Sequence, residues 1–418
     1  MKIALLAGEI SGDQLGSAIA EELYKSVPNV TLIGITGENM RNSGVRSIAN
    51  INMLSVVGFS EIILKLPKLL WFRYQIFRQL IYEKPDFVIG IDSPDFNLSL
   101  LKKLRIRGIR TIQFVAPTVW AWRKWRIKKI KDSVEKLLCL YPFEVDFFSK
   151  HNISAIYVGH PIADKIPIDY DLVQYRKQMR VEPNKLIIAL LPGSRESEII
   201  RHSQILLNTA STINQELNPL GTIKKQTHQE LRRSARIVTN FNSLIPNNPN
   251  ETLSFFNQSP LQFVVPLPTI ETFNLFKDQT SKAITSLPIR IMRGHAKQAI
   301  ALADICLIAS GTACLEAALY KKPMVIFYKL NKITLRLMKW LYQLPWFGLP
   351  NILAKKFIVP EILLNQATEK EMAEEVLSLL EDKKRCQKIV EEFNELHKNL
   401  IVDRQKIWQG ILVNQSPK

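Results

Sequence analysis

LIIALLPGSRESEI, Leu186–Ile199, decides how this chain is read. Leu186 to Leu191 is an unbroken aliphatic run, closed by Pro192 and Gly193. A run without polar alternation is expected of a strand buried on both faces, as inside a parallel sheet. Ser194 suits an N-cap, and Glu196, Ser197 and Glu198 suit the first turn of a helix. Strand, tight turn and helix start would leave free backbone N–H groups at the carboxyl end of the sheet, where a phosphate can sit. Arg195 adds a planar cation matched to a diphosphate. The plainer alternative is an ordinary strand–turn–helix unit with a surface arginine. A second turn of similar kind favours the phosphate reading: Ser310-Gly311-Thr312, after the strand expected at Ile305–Ala309. Its glycine lets the backbone approach a ligand, its hydroxyls can donate, and a helix begins there. Glu316, one helical turn further in, is suited to accept hydrogen bonds from ribose hydroxyls.

The same rhythm runs through the first half. Ile3–Ala7 reads as a strand, Gly8-Glu9-Ile10-Ser11-Gly12-Asp13 as its turn, and about Gln14–Lys25 as a helix. The turn is not GxGxxG, so no dinucleotide follows from it. Further strands are expected at Thr31–Ile35, Phe87–Ile91, Ile112–Val115, Leu137–Tyr141, Tyr157–Gly159, Gln262–Pro266, Arg290–Met292 and Pro323–Tyr328. Strands alternating with helices predict α/β architecture with doubly wound parallel sheets. The 418 residues exceed one typical domain. Relaxed, proline-rich sequence near 160–184 marks a boundary. The expected division is 1–165, then 166–365 with an exposed insertion at about 215–260, then a helical region 366–418 in which Met372, Val376, Leu379 and Phe393 pack inward.

Asp92, in IDSPDFN, stands at the carboxyl end of the strand Phe87–Ile91, where α/β sheets place their ligands. Asp92 and Asp95 form a DxxD, and no metal is expected there. Four scattered cysteines make no CxxC pair and fit reduced cytosolic thiols. The net charge of +18 calls for an anionic partner: nucleic acid, an anionic membrane surface or phosphorylated substrates. From Phe96 to Lys131 there are eleven lysines and arginines and no acid. Within that stretch Trp120 and Trp122 could stack on a base or sugar, anchor at lipid headgroups, or be core. Residues 61–82 carry apolar and aromatic side chains nearly all round, interspersed with Lys65, Lys68, Arg73 and Arg78. This suits either a membrane interface or a mostly buried helix; residues 333–349 are similar. Met1–Ala7 is too short an apolar core for a signal peptide, and no apolar run spans a bilayer.

AGEISGD, GITGENM, GIDSPDFN, PTVWAWR, PFE, VGHPIAD, LLPGSRESEI, ASGTACLEAAL, KKPMVIFY, LPNIL and VPEIL occur in this order. Together they resemble the lipid-A-disaccharide synthase family of inverting glycosyltransferases, over nearly the whole chain except about 215–260. The resemblance implies the glycosyltransferase B fold, two Rossmann-like domains facing a cleft. It implies the joining of UDP-2,3-diacylglucosamine to 2,3-diacylglucosamine 1-phosphate (lipid X), with UDP released, and no metal or other cofactor. Asp92 matches the family's proposed catalytic aspartate, and Glu9 and Asn351 match cleft positions. Ser194, Arg195, Ser310, Gly311, Thr312 and Glu316 are the expected UDP-sugar residues. Ser11, Asp95, Trp120, Trp122 and His160 are acceptor-side candidates, with His160 read equally well as a structural hydrogen bond. Such an enzyme works in the cytoplasm, peripheral on the inner membrane, with residues about 61–82 on the anionic surface. The family's usual PSVWAW has Ala116 before its proline and Thr118 for its serine, and LNQ follows PEIL. An epimerase or another glycosyltransferase of the same fold would not share IDSPDF and VWAW. No nucleic-acid recognition motif is present, and such a role leaves the phosphate-type turns unexplained. A non-catalytic paralogue is disfavoured by the motif residues being present.

Overall fold

The computed structural model describes residues 1–53, 59–120, 124–179, 181–182, 185–217, 261–280, 287–329, 344–363 and 368–412. The expected insertion from residue 218 on, Trp122, most of 333–349 and all of LNQ lie outside the described residues.

The chain divides into two compact units. One comprises 1–165, 341–343 and 399–418; the other comprises 166–340 and 344–398. The helical tail foreseen as one region is therefore divided. Its helices Glu369–Glu381 and Lys383–Leu400 fall almost wholly in the second unit, and Arg404–Leu412 falls in the first.

The first unit is built on a seven-stranded sheet of order β3-β2-β1-β4-β5-β6-β7. The strands are β1 Lys2–Ala7, β2 Thr31–Thr36, β3 Arg46–Asn50, β4 Phe87–Ile91, β5 Arg110–Phe114, β6 Lys136–Cys139 and β7 Ala155–Tyr157. Every pairing is parallel, with Leu5 of β1 lying between Gly34 of β2 and Ile89 of β4. Parallel strands need crossover connections, and helices covering both faces explain the aliphatic runs. Ile3 through Ala7 and all of β4 are buried. The edge strand β3 is half-exposed and polar, so its sequence carries no strand signal.

The second unit repeats the plan with six parallel strands in the order β10-β9-β8-β11-β12-β13. These are β8 Leu186–Leu191, β9 Leu261–Leu267, β10 Ile289–Arg293, β11 Ile305–Ala309, β12 Met324–Tyr328 and β13 Glu361–Leu363. The run that opened the sequence reading is thus a central strand, next to β11, whose own turn is SGT. Buried Met372, Val376, Leu379 and Phe393 belong to this unit's core.

The basic aromatic segment forms one long helix, Phe59–Glu83, with Pro67 inside it. Over residues 67–83, Phe72, Ile76 and Leu80 are buried at helical spacing, while Leu70, Trp71, Tyr74 and Tyr82 are exposed. The helix is thus not mostly buried over these residues: one stripe is core, and another apolar face meets solvent.

Candidate functional site

In both units the candidate residues gather in the loops after the strands, the ligand side of an open α/β sheet. In the first unit, β4 runs into two consecutive residues with left-handed backbone. Asp92 has φ of 51° and Ser93 has φ of 40°, and neither is glycine. Such conformations cost about 1–3 kcal/mol each and persist where surrounding structure holds them. Here the holding is visible. The Asp92 N–H donates to Phe114 O (3.0 Å). The Asp92 carbonyl accepts from Asn97 Nδ2 (2.9 Å) and Gln113 Nε2 (3.0 Å). Gly8, in the turn after β1, lies directly against Ser93: a Cβ at Gly8 would come 2.2 Å from Ser93 Oγ. Glu9 and Ser11 follow at the exposed start of the helix Ile10–Ser26.

The remaining first-unit candidates are differently employed. Asp95 is exposed but ion-paired with Arg126. Trp120 is buried; its Nε1 donates to Glu144 Oε1 (3.0 Å), and its ring meets Phe143 edge-on. Of the three readings of Trp120 the structure takes the core one, and the polar edge of the indole is spent on the Glu144 carboxyl group rather than on an acceptor substrate. Burial pushes the Glu144 carboxyl up to about 8, against the hydrogen bonds from Trp120 and from the Tyr141 and Leu140 backbone. His160 takes the structural option. Its Nδ1 accepts from the Ile162 N–H (3.2 Å), and its backbone N–H donates to Leu400 O (3.3 Å). Burial, helped by nearby Arg404, lowers His160 to about 4, so the ring is neutral at ordinary pH. VGHPIAD therefore receives the returning C-terminal segment, where Arg404 bonds Glu22 and Asp164.

In the second unit, the turn after β8 corrects the opening expectation. The Ser194 and Arg195 N–H groups are not free: both donate to Glu198 Oε2, at 2.9 and 3.2 Å. The helix begins at Glu196, one residue later than a Ser194 cap requires. Glu198, one turn into that helix, occupies the place foreseen for a phosphate. The Arg195 side chain remains 74% exposed, with a long contact to Glu198 Oε1 (3.4 Å). Behind the turn, buried His202 Nδ1 donates to Pro192 O (2.7 Å), and Nε2 accepts from the Lys329 N–H (3.3 Å). A carbonyl on one side and an N–H on the other fix the neutral tautomer.

The turn after β11 is more open. Gly311 and Thr312 are exposed, and among the described residues beyond its chain neighbours a Cβ at Gly311 would meet only Ala309 O within 4 Å, at 3.9 Å. Ser310 Oγ donates to Phe347 O (3.2 Å). Burial raises the half-buried Glu316 carboxyl, opposed by Lys297. Asn351 is a further correction. It is fully buried, with Nδ2 donating to Val359 O and Glu361 Oε1, and Oδ1 accepting from the Ile358 and Val359 N–H groups. It locks a loop and has nothing left to offer a substrate. Glu361 in turn accepts from the Phe347 and Gly348 N–H groups.

The sequence reading missed this set of loop-tying carboxylates. Asp13, also buried, accepts from the Gly37, Asn39 and Met40 N–H groups, joining AGEISGD to GITGENM. A carboxylate one helical turn past a glycine turn, as in SRESE, is the one local signal that could have found Glu198. Among the described residues there is no cluster of His, Cys, Asp and Glu able to hold a metal ion.

The model of the family described as lipid-A-disaccharide synthetase matches residues 3–256 and 253–411. This chain belongs to the lipid-A-disaccharide synthase family. These are glycosyltransferases of lipid A biosynthesis. A lipid-A-disaccharide synthase of Methylobacillus flagellatus is 36% identical over 399 residues, 95% of each chain. One of Francisella philomiragia is 36% identical over 409 residues, 97% of each. Among solved structures, UDP-GlcNAc 2-epimerase from Neisseria meningitidis bound to UDP-GlcNAc superposes with a TM-score of 0.62 at 12% identity, covering 99% of this chain and 100% of that one. An S. aureus MnaA–UDP structure gives 0.59 at 11%, covering 100% and 99%. That likeness concerns the fold, the glycosyltransferase B architecture.

Proposed function

We propose that this chain transfers 2,3-diacylglucosamine from its UDP conjugate to the 6-hydroxyl of lipid X, with inversion, giving the β-1,6-linked disaccharide 1-phosphate and UDP. Family membership supports the reaction. The observation that carries the mechanism is Asp92, held in a left-handed turn at the carboxyl end of a parallel strand. The acceptor oxygen attacks the anomeric carbon, the Asp92 carboxylate takes its proton, and the sugar–phosphate bond breaks with its electron pair passing to UDP. General-base assistance of this kind contributes about 10²–10⁴-fold. Glu9 orients the acceptor. The charge growing on the diphosphate is met by the exposed Arg195 guanidinium and by the Ser310–Thr312 turn. Glu316, whose carboxyl burial raises, accepts from the ribose hydroxyls. UDP-bound neighbours of the same fold are in keeping with this assignment.

Both substrates are anionic amphiphiles, so the protein docks on an anionic bilayer surface at the cytoplasmic face of the inner membrane. The exposed Trp71, Tyr74 and Trp125, flanked by Lys68 and Arg78, make up the docking face. Among the described residues no helix is long and apolar enough to cross a membrane.

The test is release of UDP from UDP-2,3-diacylglucosamine in detergent micelles, with and without lipid X, for wild type and Asp92→Asn. Turnover should require lipid X and fall about 10²–10⁴-fold in the variant. Turnover surviving intact in Asp92→Asn moves the base elsewhere. No turnover by folded wild type rejects the substrates.

A further inference from the structure

Two buried amides lie behind Asp92. Asn97 and Gln113 are both fully buried, one in the helix Pro94–Ile106 and one in β5. Asn97 Nδ2 faces three carbonyl oxygens: Asp92 at 2.9 Å, and Leu6 and Ile91 at 3.3 Å. Gln113 Nε2 faces Asp92 O at 3.0 Å, Phe114 O at 3.1 Å and Val115 O at 3.4 Å. With only acceptors around each nitrogen, the orientation of both amides follows from chemistry. The consequence is costly: Asn97 Oδ1 and Gln113 Oε1 are buried without a hydrogen-bond partner among the described residues. The sheet makes room for this arrangement at Gly90, where a Cβ would come 2.7 Å from Gln113 Oε1 and 3.0 Å from Asn97 Cβ. Two unsatisfied acceptors are thus retained where both amides converge on one backbone carbonyl. That carbonyl belongs to the residue that begins the left-handed pair.

We propose that Asn97 and Gln113 are positioning residues that clamp the Asp92 peptide and so aim its carboxylate. The clamp opposes relaxation of Asp92 and Ser93 toward ordinary backbone angles, which would swing the side chain away from the acceptor hydroxyl. The inference rests on the reading of Asp92 as the base.

The experiment uses the full chain carrying Asn97→Leu, Gln113→Leu, both together, or Gln113→Met as a second variant should Leu fail to fold. Each is made with Asp92 intact and with Asp92→Asn. kcat, KM for UDP-2,3-diacylglucosamine, the pH profile of kcat, UDP affinity by calorimetry and thermal unfolding are measured. With Asp92 intact, each substitution should lower kcat about tenfold and move the basic-form limb of the pH profile. The UDP Kd should stay within about twofold. In the Asp92→Asn background the same substitutions should cause no further loss, because the group they aim is gone. Equal losses in both backgrounds, tracking the fraction folded, would overturn the clamp and leave a packing role. Unchanged kcat in the Leu and Met variants, with Asp92→Asn inactive, would also overturn it while sparing the base. Asp92→Asn turning over at the wild-type rate removes the base itself, and the proposal with it.

Discussion

The loops after β4 and after β8 each follow a buried strand of a doubly wound sheet, yet they are held in opposite ways. After β4 the chain adopts two left-handed residues and uses two amides to hold them, leaving two buried acceptors unsatisfied. After β8 the Ser194 and Arg195 N–H groups are satisfied by Glu198 from the same segment. The first loop holds two residues in strained backbone; the second keeps its N–H groups paired and leaves a guanidinium exposed. If the proposed roles hold, the difference has a reason: a proton acceptor needs a fixed side chain, whereas a diphosphate needs charge, which a flexible arginine supplies without a strained backbone.

Beyond Asp92→Asn, whose effect should be largest, the contrast can be tested through the membrane. Lys68→Gln with Arg78→Gln, on the first unit, should weaken binding to vesicles containing anionic lipid by about tenfold or more, each charge contributing roughly 1 kcal/mol. Neutralising the exposed Lys297 and Arg293 of the second unit should leave vesicle sedimentation unchanged; equal losses from both units would erase the distinction. Next in size, Glu198→Ala should lower stability by about 2 kcal/mol, because two N–H donors lose their acceptor. It should also weaken UDP binding roughly tenfold, as the Arg195 turn loses its brace. Tighter UDP binding in this variant would mean that Glu198 and the diphosphate compete for the same donors.

The smallest effect concerns Glu144, in the first unit's core. Its carboxyl rises from 4.5 to about 8 on folding, mainly through burial. Between those values the folded state holds a proton that the unfolded state releases, so stability falls as pH rises through the window. Glu144→Gln cannot titrate, and its unfolding temperature should therefore decline less than wild type between pH 5 and 8. Parallel curves would show that Glu144 is not the group responsible.

Much of the architecture was legible because parallel strands buried on both faces read as aliphatic runs. β4 and β11 lie where the residues Phe87–Ile91 and Ile305–Ala309 indicated. β3 and β13 were not legible: one is a half-exposed polar edge strand, the other three residues long. Among the candidate residues, the sequence put Asp92 at a strand end but gave no sign of its left-handed backbone. Asn351 and Trp120 matched the family pattern, yet both are spent on internal hydrogen bonds. Motif residues that brace a loop and motif residues that meet a ligand look alike in one dimension.

Local pattern alone therefore determined the two α/β units, the glycine turns after their strands and the family. Those rest on hydrophobic periodicity and short motifs, which residues carry individually. Only the tertiary structure decided which polar groups remain available. Glu198 neutralises the turn next to it, Glu361 and Asn351 lock a loop, and Asn97 and Gln113 converge on Asp92 from different elements. Hydrogen-bond satisfaction in a low-dielectric interior is a property of neighbours in space, and the chain order does not contain it.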